Sequence, residues 1–309
     1  MRRAQGFSPA GISSFFEICD RGLDGTALID PERIGARGGG FVIDKGVLTE
    51  VSVKESEERE VQVFINDEPA PQAETTKAVA RMLLDRAGGA YEVRIRHRIE
   101  VPIGAGFGSS AAGAVSTALA LSKALGISFT KNQIGRVAHV AEIRCKTGLG
   151  TVGPLMLGGC VITVEPGAPG YAVIDRISVS SDHKIIAGVF RSSPTRGFLA
   201  SLKDRIIFEK WAKRTMNSIL DNPSLENFMK ASKKFAMRTG CATKRVRQLI
   251  KAAENAGAIG AAQNMVGEAV HAVAKVDGLE KVVRSFEKFL PSERVLIADI
   301  DHLGARLLG

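Results

Sequence analysis

Cysteine is scarce: Cys19, Cys145, Cys160 and Cys241 lie far apart in 309 residues, and no C-x-x-C pair occurs. Scattered thiols argue against a disulfide scaffold or a cysteine-built zinc site and point to a reducing, cytoplasmic setting. No apolar run reaches the ~18 residues that a membrane span requires. Met1–Ala10 carries Arg2 and Arg3 without the long apolar stretch of a signal peptide, so no membrane partner is expected. Aromatic residues make up 6%, with a single tryptophan, Trp211. Internal repeats and low-complexity tails are also missing, as are two familiar phosphate motifs. G-x-x-x-x-G-K-[ST] does not occur, and three residues after Gly106 comes Ser109 where a dinucleotide fingerprint needs glycine.

Acidic charge is also in short supply. The formal net charge is +9, and Lys184–Glu254 holds 16 Lys/Arg against 5 Asp/Glu. One reading is a nucleic-acid surface. The other is a set of solvated basic helix faces that help to attract an anionic small substrate, and the lack of interleaved aromatics favours it, so no nucleic-acid partner is expected.

What is present centres on Val101–Ala112, V-P-I-G-A-G-F-G-S-S-A-A. Before it, Tyr91–Ile99 alternates apolar and charged residues and predicts a half-buried strand. After it, Ser110–Leu125 is rich in Ala and Leu without proline and predicts a helix. A glycine loop thus runs from a strand into a helix N-terminus. Glycines admit positive φ and close backbone approach. The first N–H groups of a helix lack internal partners, and its dipole adds partial positive charge there. The small residues Ala111, Ala112 and Gly113 leave room for a polyphosphate, and the hydroxyls of Ser109 and Ser110 can bond phosphate or coordinate a metal. A nucleotide phosphate cradle follows. The competing reading is a ligand-free strand-to-helix turn, which the two serines and the small helix start make less favourable.

With 309 residues and 45% hydrophobic composition, the chain can bury a large core and form two domains. Ala4–Cys19 reads as a strand, a turn at Ser8–Gly11 and a second apolar segment. Two apolar runs around Asp44-Lys45-Gly46 suggest a hairpin. Glu55–Glu60 reads as an exposed turn, Val61–Ile65 as a strand and Glu74–Ala87 as a helix stopped by Gly88-Gly89. Thr130 and Gln133 have capping-box spacing ahead of another helix. His139 and Glu142 on that helix share a face, three residues apart. Each has a bland alternative, a satisfied helix histidine and a surface carboxylate. The glycine-rich Thr147–Pro154 right after them makes a functional pair equally reasonable. Strands follow at Cys160–Val164, Ala172–Val179 and Ile185–Phe190, and Ser192–Gly197 is a polar loop suited to meeting a substrate. Helices at Leu199–Leu220, Ser224–Arg238 and Thr243–Ala256 precede an alternating strand around Val270–Ala274. A helix at Leu279–Phe289 and a strand at Arg294–Ile300 complete a β-α-α-α-β-α-β order. An α+β class is expected, with the second half placing helices against an antiparallel sheet.

Pro102–Ala112 resembles the phosphate-binding motif of the galactokinase, homoserine kinase, mevalonate kinase and phosphomevalonate kinase (GHMP) superfamily. Ser8–Glu17 is similar to its first motif, Thr147–Val152 to its second glycine loop, and Gly257–Val273 falls where its C-terminal motif lies. Within the superfamily, S-P-A-G-I-S-S-F-F-E-I-C-D, the H-x-x-E of His139 and Glu142, T-G-L-G, and Gly257–Glu268 resemble the archaeal pantoate kinases. The resemblance implies a nucleotide-binding kinase domain at residues 1–178, a ferredoxin-like domain at 179–309, and an active site between them. It implies ATP and Mg as cofactors, pantoate as the acceptor, and a fold compatible with a homodimer. Pro102, Gly104, Ala105, Gly106, Phe107, Gly108, Ser109, Ser110, Ala111 and Ala112 would bind ATP. Ser110 and Glu142 would hold Mg; Glu142, Thr151 and His139 would be catalytic; Ser14, Glu17, His139, Thr195 and Arg196 would meet the substrate.

Three places depart from the superfamily pattern, one of them the C-terminal motif, which has Gln263-Asn264-Met265 in place of the usual glycine cluster. Thr151 stands where an aspartate is thought to orient or deprotonate the attacking hydroxyl. Thr163 stands where a basic residue is expected to pair with the pantoate carboxylate, a part that Arg196 could take. Positioning and charge neutralisation dominate phosphoryl transfer, and a lost base costs about 10²–10⁴ in rate, so a working kinase is still expected. Two other readings stay open: a kinase of the superfamily acting on another hydroxylated substrate such as homoserine, shikimate or mevalonate, or a nucleotide- or nucleic-acid-binding protein that kept the fold and lost catalysis.

Overall fold

The computed structural model describes residues 1–22, 24–192 and 205–309. Two sheets organise it. The first contains β1 (Arg2–Cys19), β2 (Gly35–Glu55), β3 (Glu60–Ile65), β4 (Glu68–Pro69), β5 (Tyr91–Ile99), β6 (Cys160–Glu165), β7 (Val173–Ile177) and β12 (Arg306–Leu308). Its order is β12-β1-β2-β5-β3-β4, with β6 joined to β2 and β7 to β6. The second contains β8 (His183–Arg191), β9 (Gly260–Gln263), β10 (Glu268–Lys275) and β11 (Val295–Asp299), in the order β11-β8-β10-β9. That order, all antiparallel, is the ferredoxin-like one, and the class is α+β as expected.

β1 and β2 are each one long strand, not the turn and hairpin expected from Ser8–Gly11 and Asp44–Gly46. The register between them skips where Pro9 pairs with Gly46 and Ala10 with Ile43, leaving Asp44 and Lys45 as a bulge. Proline lacks a ladder donor and is tolerated at such an irregularity. Asp44 is occupied elsewhere, accepting the Asp299 N–H at 3.0 Å. Gly38 and Gly40 permit the close β1–β2 approach, since a Cβ at either would overlap β1 backbone.

The helices of the first half are α1 (Glu74–Ala87), α2 (Ser109–Leu125), α3 (Lys131–Cys145) and the short α4 (Val152–Leu157). The capping box of Thr130 and Gln133 forms as predicted. Almost all of α2 is buried, and its small residues let it lie close on β1: a Cβ at Gly6 would meet the Ser116 carbonyl. In the second half, α5 (Arg205–Asp221), α6 (Leu225–Arg238), α7 (Lys244–Asn255) and α8 (Leu279–Glu287) pack on the four-stranded sheet. Residues 199–204 of the expected helix at Leu199 lie outside the described residues. The stretch after Gly257 makes two strands, β9 and β10, where one was expected, because the backbone reverses between Gln263 and Glu268. β12, unforeseen, returns the chain to β1. A T-shaped aromatic cluster joins the halves: Phe15 meets Phe228 and Phe235, and Phe41 meets Phe228, with ring centroids 5.4–6.2 Å apart. Among the described residues no helix is long and apolar enough to cross a membrane.

One buried polar group ties the first sheet to its helices. His97 on β5 bonds Thr49 on β2 at 2.8 Å and Thr76 on α1 at 3.0 Å. Burial lowers its pKa to about 4. The unfolded chain takes up this proton near the ordinary 6.5 while the folded chain does not, so stability is full above pH 6.5 and falls as pH drops toward 4. The melting temperature of wild type should therefore fall from pH 7 to pH 5, and that of His97→Gln should fall less steeply over the same range.

Candidate active site

The loop between β5 and α2 has the backbone that its glycines predict: φ is +72° at Gly104, +79° at Gly106 and +60° at Gly108. Gly108 is the N-cap of α2 and no side chain caps the helix, so its first N–H groups have no partner within the helix. Three other parts of the chain hold the loop. Gly11 N–H of β1 donates to Phe107 O at 3.0 Å. The Thr151 methyl lies where a Cβ on Gly108 would go, and Asn264 and the Met265 carbonyl face Gly106. Gly267 abuts the Ala105 backbone.

Beside the loop lies a cavity of about 530 Å³. Gly104, Gly106, Phe107, Gly108, Ser109, Ser110 and Ala111 line it. Its remaining wall includes Gly11–Ser13 of β1, Arg37–Phe41 of β2, Thr163 of β6, the stretch Lys146–Thr151, and Met265 and Val266. Of the other expected phosphate-loop residues, Ala105 and Ala112 are buried behind the lining and Pro102 is partly buried outside it.

Glu142 lines the cavity and is almost fully buried. Its Oε1 accepts from Ser110 Oγ and Thr147 Oγ1, each at 2.6 Å. The local fold explains the pairing. α3 ends in a Schellman turn: Lys146 sits in the left-handed region at φ +57°, its N–H reaches Ile143 O, and Thr147 N–H reaches Glu142 O. That turn carries the Thr147 hydroxyl back onto the carboxylate. Gly148 follows because a side chain there would overlap Glu142 Oε2. Burial pushes the Glu142 carboxyl above its ordinary pKa, against the lowering pull of the Ser110 and Thr147 hydrogen bonds.

The other sequence candidates divide. Thr151 lines the cavity. His139 does not: it is buried and its Nε2 bonds Ile34 O at 2.9 Å, tying α3 to the segment before β2. Ser14 is fully buried and bonds His271 Nε2 at 2.9 Å, and His271 Nδ1 bonds Asn264 Oδ1 at 2.9 Å. This chain runs from β1 to the residue packed under Gly106, and burial lowers the His271 pKa to about 3, so the imidazole is neutral. Glu17 is buried outside the lining, with Arg37 Nη1 and Lys213 Nζ each 3.6 Å from its carboxylate. Thr195 and Arg196 lie outside the described residues.

Arg37, Lys146 and the His271–Asn264 pair were not anticipated. Arg37 sits in G-A-R-G-G-G, where a charged residue interrupts the apolar and glycine pattern of a buried strand. Lys146 immediately precedes the second glycine loop, and a lysine there is a signal for anion binding. His271 gave no signal, because one histidine in an alanine- and valine-rich strand reads as core.

Residues 74–159 match the family described as "GHMP kinases N terminal domain". The chain is 30% identical over 280 residues to the pantoate kinase of Thermococcus kodakarensis, covering 89% of each chain. It is 27% identical over 274 residues to the pantoate kinase of Methanocaldococcus jannaschii, covering 89% of this chain and 94% of that one. A solved structure titled "Phosphotransferase related to CoA biosynthesis pathway" superposes with a TM-score of 0.86 at 28% identity, over 99% of this chain and 98% of that one.

The loop geometry generates a paired test. Gly108→Ala places a Cβ in the left-handed region, at about 1–2 kcal/mol, and against the Thr151 methyl. Gly126→Ala, at φ +73° with nothing within 4 Å, carries the same backbone cost at the far end of α2. Both variants should melt a few degrees below wild type. In calorimetry only Gly108→Ala should lose affinity for Mg-ATP, by at least tenfold.

Proposed function

The chain belongs to the pantoate kinase family of GHMP kinases, and from that premise we propose that it transfers the γ-phosphoryl group of ATP to the 4-hydroxyl of pantoate. The products are ADP and 4-phosphopantoate, on a route toward coenzyme A. The observation that carries the site assignment is the meeting, in one cavity, of an uncapped helix N-terminus behind three positive-φ glycines with the buried Glu142–Ser110 pair.

In this reading the N–H groups of the phosphate loop and the start of α2 receive the ATP phosphates, and the Lys146 ammonium adds positive charge at the same wall. The donor set suits magnesium, a hard cation that takes carboxylate and hydroxyl oxygens and completes its shell with phosphate and water. Ser110 and Glu142 would hold it, and bound there it neutralises charge on the transferring phosphoryl group. The acceptor oxygen attacks the γ-phosphorus, the bond to the β–γ bridging oxygen breaks, and the hydroxyl proton leaves to phosphate oxygen or solvent.

Among the described residues that line the cavity, Glu142 is the one carboxylate. If it serves the metal, the described lining residues offer no second carboxylate as general base. Thr151, with its methyl against Gly108, presents a hydroxyl that can orient the acceptor without taking its proton. Catalysis then rests on alignment and on charge neutralisation. Ser14, through His271 and Asn264, fixes the β1 wall and the underside of the phosphate loop. We assign residues 1–178 to the nucleotide-binding domain and 179–309 to the second domain, which reaches the cavity through Met265 and Val266. The four free cysteines suit the cytoplasm.

Release of ADP with Mg-ATP should be fastest with pantoate among pantoate, homoserine, shikimate, mevalonate and galactose. Preference for another acceptor would replace the substrate and keep the site. Glu142→Gln should lower kcat at least 100-fold. Thr151→Val, which keeps the methyl packing, should lower it less than tenfold, because no base is removed; a loss of 10²-fold or more there would make Thr151 a proton acceptor or relay.

A further inference from the structure

Thr75, in the first turn of α1, is buried behind the cavity lining. Its Oγ1 lies 2.9 Å from Thr147 Oγ1 and 3.4 Å from Ser110 Oγ. Those are the two hydroxyls that meet Glu142 Oε1, each at 2.6 Å. Three hydroxyls and one carboxylate thus form a closed network between α1, the start of α2 and the end of α3. The next residue, Thr76, bonds the buried His97 at 3.0 Å, which anchors the same turn of α1 to β5.

Counting hydrogens fixes the direction of each bond. A carboxylate that serves a metal is ionised and only accepts. Its two 2.6 Å contacts therefore take one hydrogen from Ser110 and one from Thr147. Neither hydroxyl has a second hydrogen to give. Thr75 is left as the donor within the network, and the shorter contact directs its hydrogen to Thr147. Thr147 has another acceptor at the edge of reach, the Glu142 main-chain carbonyl at 3.5 Å. The Thr75 hydrogen occupies the α1 side of the Thr147 oxygen and so keeps the Thr147 hydrogen on the carboxylate. Oε2 makes no hydrogen bond among the described residues. It lies over Gly148, where a Cβ would overlap it.

We propose that Thr75 is a positioning residue for the metal: through Thr147 it fixes Glu142 so that Oε1 is spent on protein hydroxyls and Oε2 is left for the cation. The assignment rests on the kinase reading above, in which Ser110 and Glu142 hold magnesium. Groups behind a ligating carboxylate hold its orientation, and losing one costs about 10- to 100-fold in metal affinity or activity.

The test separates metal binding from nucleotide binding. A non-hydrolysable ATP analogue is titrated calorimetrically into wild type, Thr75→Val, Thr75→Ser, Glu142→Gln and the double variant Thr75→Val/Glu142→Gln, once with Mg and once with EDTA. Thr75→Val keeps the shape and removes the hydroxyl. With Mg it should bind the analogue about tenfold more weakly than wild type does; with EDTA it should bind as wild type does. Thr75→Ser keeps the donor and should restore most of the Mg-dependent affinity. In the Glu142→Gln background Thr75→Val should cost nothing further, because the carboxylate through which it acts is gone. Thr75→Ala gives the same reading where Thr75→Val does not fold. Equal losses with Mg and with EDTA, no loss in either, or additive losses in the double variant overturn the proposal. A wild type that binds no more tightly with Mg than with EDTA rejects both the metal site and the part given to Thr75. A Mg-dependent gain that Thr75→Val loses, in a protein that phosphorylates no acceptor, keeps the assignment of Thr75 and rejects the kinase reading.

Discussion

The backbone of Gly106–Gly108 is pressed against three distant parts of the chain. Asn264 and Met265 of the β9–β10 turn face Gly106, Gly11 of β1 donates to Phe107, and the Thr151 methyl fills the space beside Gly108. A β-carbon at Gly108 would overlap the Thr151 methyl and one at Gly106 would press on Asn264, and the start of α2 is left uncapped. α2 is buried along nearly its whole length, so its N-terminus cannot drift. These contacts bring the first motif, the second glycine loop and the C-terminal motif to one cavity from sequence positions more than 250 residues apart. The aromatic contacts between Phe15, Phe41 and α6 do the same for the two halves of the fold.

Burial sets the chemistry around this clamp. Glu142 is withdrawn from water and held by two hydroxyls, an arrangement that favours a hard cation once one is present. His139 and His271 are also buried, with pKa values pushed down, and both bond structural partners. Of the titratable groups expected at the site, His139 and Glu17 lie outside the cavity lining and Glu142 is part of it. Two cations, Lys146 and Arg37, are among the described residues that line the cavity.

Much of this was legible in the sequence, because it depends on local rules. The glycine loop, the bounds of α1 and β5, and the Thr130–Gln133 capping box follow from spacing and φ preference. Glu142 was found through its place before T-G-L-G. What was missed depends on pairing across the sheets. Pro9 and Asp44–Gly46 look like turn residues, yet each is absorbed in a bulge between β1 and β2. β12 is three residues long and gains its meaning only from β1. His139 shares a helix face with Glu142, but the segment before β2 supplies a carbonyl that takes up its ring. Arg37 could not be placed from sequence, because its partners, Val164 O and Glu17, lie on the strands beside it.

The most direct measurement is a crystal structure of the chain with Mg, a non-hydrolysable ATP analogue and pantoate. The account predicts the γ-phosphate over Gly106–Ser110 at the start of α2, and the metal within bonding distance of Ser110 and Glu142. The 4-hydroxyl of the acceptor should lie turned toward the γ-phosphate. A nucleotide bound away from this loop, or an acceptor whose 4-hydroxyl lies out of reach of the γ-phosphate, would contradict it.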